Sequence, residues 1–208
     1  MDRGRLEAFS DGVFAVAITL LALNLTVPGG KDLLMQLTQH WPAFAGYLVS
    51  FLTIGIIWVN HHVLVRQITK VDRTLLFVNL MLLLFVVLIP FGTSTAADYL
   101  PHNSRDAQLA MVLYGGIFLG MSAGFGAIFE WTLHGDNVYH PLPAEQHWTA
   151  RRRFVGGALV YVIAMIVAAF YALAAFVLIG LVAVYYIFEQ TPTSPAGPDF
   201  PDDGAPLG

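Results

Sequence analysis

Residues 5–25 read Arg-Leu-Glu-Ala-Phe-Ser-Asp-Gly-Val-Phe-Ala-Val-Ala-Ile-Thr-Leu-Leu-Ala-Leu-Asn-Leu, and after Asp11 no charge follows until Lys31. A spanning helix takes about 20 mostly apolar residues, so this stretch predicts a first membrane helix with a carboxylate at its mouth. An ionisable group there is costly to keep and is a functional-site candidate by default. Asp11 must stay neutral, pair with a cation or accept hydrogen bonds. Candidate partners are Arg5 on the same helix, the adjoining Ser10, and the donors of Trp58-Val59-Asn60-His61-His62 further on.

Composition extends that reading to the whole chain. It is 57% hydrophobic and 12% charged, with mean hydropathy +0.67, against about 25% charged residues in a soluble domain. The protein is therefore read as an integral, all-α membrane protein. Cysteine is absent, which excludes disulfides and thiolate metal sites. The net charge of -4, with Asp199, Asp202 and Asp203 in the tail, offers no basic face for nucleic acid.

Six transmembrane helices are predicted. The first runs from Arg5 to Val27 and is stopped by Pro28-Gly29-Gly30. Trp41-Pro42 starts the second, Pro being tolerated in a first turn, and it continues to Val65. Asp72 opens the third, which reaches Ala96 with a kink expected at Pro90. The fourth occupies Ala107 to His134, and the fifth begins after Arg151-Arg152-Arg153. From Phe154 to Phe188 no charge interrupts the apolar run. Two short helices with a tight turn near Ala172 to Ala175 suit that length better than one; a single helix would lower the count to five and move the C-terminus across.

With six spans, Arg3, Arg5, Arg66, Lys70, Arg73, Arg151, Arg152 and Arg153 share one side, against Lys31 and Arg105 on the other. Cytoplasmic loops carry the Lys and Arg excess, so both termini are expected in the cytoplasm and the chain in the plasma membrane as a multi-pass protein. Asp11 interrupts any secretory-signal pattern and no small-x-small cleavage site precedes Pro28, so the first helix is expected to be retained. Residues 191–208, rich in Pro, Gly and Asp, are expected to be disordered, which leaves residues 1–190 as the membrane domain. No internal repeat is visible, so a symmetric pore requires several copies of the chain. Gly116, Gly120 and Gly124, at four-residue spacing, read as helix packing.

The start of the first helix and the end of the second fall at one membrane face, which allows a hydrogen-bonded knot between Asp11 and the Trp58 to His62 cluster. It is read first as helix packing and second as gating or proton sensing. His is the usual pH switch, but adjacent residues point about 100° apart on a helix, which separates His61 from His62. Val16, Thr19, Leu20 and Leu23 form one face at i, i+3, i+4 and i+7. Copies of that face meeting at an axis would make an apolar constriction with one hydroxyl ring, and such constrictions gate ions by dewetting. Taken alone, the stripe reads as packing.

Arg-x-x-x-Phe-Ser-Asp at Arg5 to Asp11, followed by Gly-Val-x-Ala-x-x-x-Thr, together with Trp-x-Asn-His-His at Trp58 to His62, resembles the bacterial branch of the transmembrane-protein-175 family of potassium-permeable channels. The resemblance implies a homotetramer of six-helix subunits whose first helices line a pore without a carbonyl filter. No Thr-Val-Gly-Tyr-Gly stretch and no voltage-sensor Arg ladder occurs. Carried over by position, Val16 falls on the hydrophobic gate, Thr19 on the hydroxyl layer tied to potassium preference, and Leu20 and Leu23 on further apolar rings. Arg5, Phe9, Ser10 and Asp11 fall on the signature, which packs and hydrogen-bonds with Trp58, Asn60 and His61 or His62. Val16 stands where Ile or Leu is more usual, so a wider constriction is expected.

Such a pore conducts K+ passively and needs no cofactor; its partners are copies of itself, the bilayer and monovalent cations. No Gly-x-Ser-x-Gly elbow or His-Glu-x-x-His helix suggests an enzyme. His134, His140 and His147, near Asp136 and Glu145, match no standard metal spacing and read as a solvated loop. The alternative class is a proton-coupled secondary transporter relaying through Asp11, His61 and His62. A third is a haem or quinone protein using the two His residues.

Overall fold

The computed structural model of the chain describes residues 2–26, 32–102, 104–134, 137–139 and 143–188. Among the described residues the fold is all-helical, with one isolated bridge between Ile68 and Val138. The Pro28-Gly29-Gly30 stop, Lys31, Asp136, His140 and the tail from 191 lie outside them.

The helices are α1 (Arg3–Leu23), α2 (Leu33–Gln39), α3 (Trp41–Arg66), α4 (Arg73–Tyr99), α5 (Arg105–Thr132), α6 (Ala144–Ala168) and α7 (Ala172–Phe188), with a 3-10 turn at Leu100–His102. Four of them, α1, α3, α4 and α5, are long and apolar enough to cross a membrane, so the chain is a multi-pass membrane protein. Side-chain caps set several starts. Asp72 accepts from Leu75 N at 2.7 Å, Ser104 accepts from Ala107 N, and Pro42 sits in the first turn of α3. Pro90 lies inside α4, which continues past it.

Three boundaries and one added helix depart most from the sequence reading, the other ends shifting by one to three residues. The first helix ends at Leu23 and not Val27: Asn24 caps it with αR backbone angles, and its side chain donates to Pro90 O of α4 at 3.3 Å, the kind of side-chain bond by which Asn favours helix ends. The short helix α2 was not foreseen. It is capped by Asp32, which accepts from Met35 N, and buries no residue, and seven residues are too few for periodicity to register. The fifth helix starts at Ala144, so the three arginines lie within it. Charge marks the edge of hydrocarbon, but Arg is a good helix former and a helix can begin in water, where Arg151 forks onto Glu130 of α5. The turn between α6 and α7 falls at residues 169–171, ahead of the expected Ala172 to Ala175. Exposed Phe170 and Tyr171 occupy it, and Gln108 Nε2 of α5 donates to Phe170 O at 3.2 Å.

Lipid is as apolar as a leucine side chain, so close packing and interhelical hydrogen bonds hold such helices together. The centre of the bundle is the α4–α5 pair, flanked by α3 and α6, with α7 against α3, α5 and α6, and α1 against α3 and α4. Gly120 and Gly124 make the central approach possible. A Cβ at Gly120 would lie 2.2 Å from the Phe85 ring, and one at Gly124 would lie 2.9 Å from Leu82 Cα. Gly116, the third of that spacing, is less crowded: a Cβ there would make ordinary contact with Met165 Cε at 3.8 Å. A buried hydroxyl cluster crosses three helices: Ser50 Oγ is 2.6 Å from Thr93 Oγ1 and 2.7 Å from Tyr114 Oη.

The start of α1 and the end of α3 meet, since Arg3 donates to Arg66 O at 3.0 Å. The α3–α4 and α5–α6 loops join at the same end through Thr69 N to Asn137 O and Tyr139 N to Gln67 O, each 2.9 Å. Trp131 Nε1 donates to Asp72 there as well.

Candidate pore face and signature network

The two sides of α1 are unlike. Leu6, Ser10, Phe14, Ala17 and Leu21 are buried, a continuous stripe packed on α3 and α4. Val16 (54% exposed), Thr19, Leu20 (36%) and Leu23 (73%) lie on the other side, and at 100° per residue the two midlines are about 130° apart. Among the described residues, then, α1 has a second, largely apolar face that is exposed to varying degrees and lies apart from its packing stripe. Thr19 Oγ1 donates to Val16 O at 2.8 Å. A hydroxyl has one proton and two lone pairs, so with the proton turned back onto its own helix the oxygen presents acceptor capacity outward.

The polar residues of the signature segregate by position. Trp58 Nε1 of α3 donates to Asp11 Oδ1 at 2.8 Å. Ser10, wholly buried, donates to Leu6 O at 2.9 Å and accepts from Asn79 Nδ2 of α4 at 3.0 Å. Asn79 Oδ1 then faces His61 Nε2 at 2.8 Å. Because the Ser10 proton is committed to Leu6, Asn79 must donate through its amide nitrogen, which makes Nε2 of His61 the donor. The Phe14 ring packs on His61, with centroids 5.4 Å apart. α1, α3 and α4 are thus joined at one level by a buried Ser-Asn-His chain.

His62 turns elsewhere. Its Nδ1 lies 2.9 Å from Glu7 Oε1, off the line of a hydrogen bond, and its ring stacks loosely on Trp58. Arg5 and Phe9 are exposed and take no part in these two bonded sets. Asn60 makes an interaction of its own.

Two members of the network were not anticipated in the sequence, Asn79 and Glu7. The signal for Asn79 was available: it is the one amide in the apolar run from Leu75 to Ile89, where an unsatisfied polar group costs several kcal/mol, roughly. Glu7 sits one turn before Asp11, a spacing that puts both carboxylates on one side of the helix. In the α5–α6 loop, His134 Nδ1 lies 2.7 Å from Glu130 O of the preceding turn.

The chain is similar to known proteins. The family model described as "Endosomal/lysosomal potassium channel TMEM175" matches residues 5–90, which span α1 and the residues that bond to it. A potassium channel of Streptomyces collinus is 39% identical over 195 residues, covering 92% of this chain and 94% of its own. One from Chamaesiphon minutus is 38% identical over 142 residues, 66% of this chain and 69% of its own. The human endosomal/lysosomal proton channel TMEM175 is 37% identical over 68% of this chain and 30% of its own length. Among solved structures, a lysosomal potassium-selective channel TMEM175 homolog from Chamaesiphon minutus superposes with TM-score 0.78 at 31% identity, covering 89% of this chain and 96% of that one.

Proposed function

The chain belongs to the TMEM175 family of potassium channels, and on that premise we propose that it is the subunit of a passive potassium-permeable channel whose pore is lined by α1. It is not an enzyme. The observation that carries the pore assignment is the second apolar face of α1, which bears one hydroxyl and is exposed among the described residues. One helix face cannot enclose a path for ions. Closed rotational symmetry is the usual way copies bring a face to an axis, and four copies are the proposed number.

In this reading α1, α3, α4, α5, α6 and α7 are the six spans, and α2 lies outside the hydrocarbon. Val16, Leu20 and Leu23 form apolar rings that dewet the closed pore, and Thr19 supplies an oxygen layer between them. The end of the bundle carrying Arg3, Arg66, Lys70 and Arg73 faces the cytoplasm of the plasma membrane. A transporter relaying protons through Asp11 and both His residues fits less well, because His61 and His62 turn to different partners, Asn79 and Glu7.

The test is K+ flux into liposomes holding the purified, mass-verified oligomer. A flux set by the K+ gradient and indifferent to an imposed pH gradient is expected. No flux from a folded oligomer, or uptake only when a pH gradient drives it, overturns the reading.

A further inference from the structure

We propose that Glu7, Asp11 and His62 form a binding site for a divalent transition-metal cation, Zn2+ by donor chemistry, at the junction of α1 and α3. One ligand atom from each lies within 4.8 Å of the others. Adjacent donors around a tetrahedral Zn2+, at bond lengths of about 2.0–2.2 Å, sit roughly 3.3–3.6 Å apart. The His62 Nδ1 to Glu7 Oε1 separation of 2.9 Å is within a few tenths of an ångström of that spacing, and an Asp11 carboxylate oxygen lies within 4.8 Å of both.

Three further observations point to a cation. His62 Nδ1 is shielded from solvent and lies against the Glu7 carboxylate without an aligned hydrogen bond, an arrangement that a cation shared by the two groups would satisfy. Two carboxylates one helical turn apart face it, and their joint charge offsets a divalent ion. Trp58 Nε1 holds Asp11 Oδ1, the kind of outer-shell hydrogen bond that commonly orients a ligating carboxylate. One imidazole with two carboxylates suits Zn2+ or Mn2+ ahead of Mg2+, which prefers oxygen ligands and keeps its waters. The side chains of His62 and Glu7 are 37% and 21% exposed, open enough for an ion to arrive from water. Since the ligands come from α1 and α3, an occupied site ties these helices together. If α1 lines the pore, as proposed above, bound metal restrains the helix that must move to open it.

The experiment is calorimetric titration of the chelator-stripped, purified oligomer with ZnCl2, beside MgCl2, with size-exclusion elution as the check on folding. One Zn2+ per chain is expected, with weaker Mg2+ binding. Glu7→Gln and His62→Gln should each weaken Zn2+ by about tenfold or more, while His134→Gln leaves it unchanged. Should one variant fail to assemble, the other carries the test. Absence of Zn2+ binding to the wild type, or an affinity unmoved by the assembled variants, overturns the site. Binding is read without any ion flux, so a channel that conducts K+ but binds no Zn2+ refutes this proposal alone, and a protein that binds Zn2+ but conducts nothing refutes only the channel reading.

Discussion

Trp58 of α3 donates its indole N–H to the Asp11 carboxylate of α1 across 2.8 Å, and the bond fixes which way the charge points. Asp11 lies about 130° around the helix from the midline of the Val16 to Leu23 stripe. The carboxylate therefore faces α3 while the apolar stripe faces away from the bundle. Trp58→Phe keeps the ring and removes the donor. With the pair partly exposed, the loss should be about 1 kcal/mol, read as a lower thermal midpoint of the oligomer by size-exclusion. An unchanged midpoint would mean that water replaces the indole without cost.

The Ser10–Asn79–His61 chain is fully buried, so breaking it should cost more. Asn79→Ala strands the His61 Nε2 donor, a cost of about 1–3 kcal/mol, and removes the bond that Ser10 accepts, while the Ser10 hydroxyl still donates to Leu6 O. Asn79→Leu combined with His61→Phe removes both ends of the Asn79–His61 bond and should recover part of the loss. Thermal midpoints of the singles and the double give the coupling; strict additivity would show that the two side chains act independently.

How far this arrangement was legible depends on the kind of signal. The spans of α1, α3, α4 and α5 were readable because bilayer thickness demands long uncharged runs, and the Asp72 start was readable because a cap is local. Asn79 and Glu7 escaped notice for a different reason. Which face of α4 meets α1 is decided by packing among three helices, and a lone amide in an apolar run says only that a partner exists. The start of α6 was misplaced because charge locates the hydrocarbon boundary and not the helix boundary. The free face of α1 was visible as a period, but only the structure separates it from the Leu6 to Leu21 face that carries the packing.

The glycines of α5 should not be equivalent. An added methyl at Gly124 meets Leu82 backbone at 2.9 Å, and at Gly120 it meets the Phe85 ring at 2.2 Å, whereas at Gly116 it makes an ordinary 3.8 Å contact with Met165. Gly124→Ala and Gly120→Ala should each destabilise by about 1–3 kcal/mol through overpacking. Gly116→Ala should stay within roughly 0.5 kcal/mol. Thermal melts of the three variants decide it, and equal effects would place the α4–α5 contact elsewhere along the helix.

Val16 is the smallest apolar side chain on the exposed stripe. If its ring is the constriction, Val16→Ala widens it and lowers the dewetting barrier, so K+ flux in liposomes should rise. Val16→Phe should narrow the ring and reduce flux. Both substitutions keep the face apolar and leave the buried side of α1 untouched, so assembly should persist. Flux indifferent to both would move the constriction to Leu20 or Leu23.

Thr19 tests the other component of the stripe. Its proton is held by Val16 O, so the oxygen turns lone pairs outward, as a partly dehydrated cation requires. Thr19→Val keeps the shape and deletes the oxygen; the expected result is a lower preference for K+ over Na+, measured as the reversal potential under bi-ionic conditions, with conduction retained. Thr19→Ser restores the oxygen and should restore the preference. A conserved reversal potential in Thr19→Val would show that ion choice rests on pore width alone, because the two side chains occupy nearly the same volume and differ in what they offer a cation.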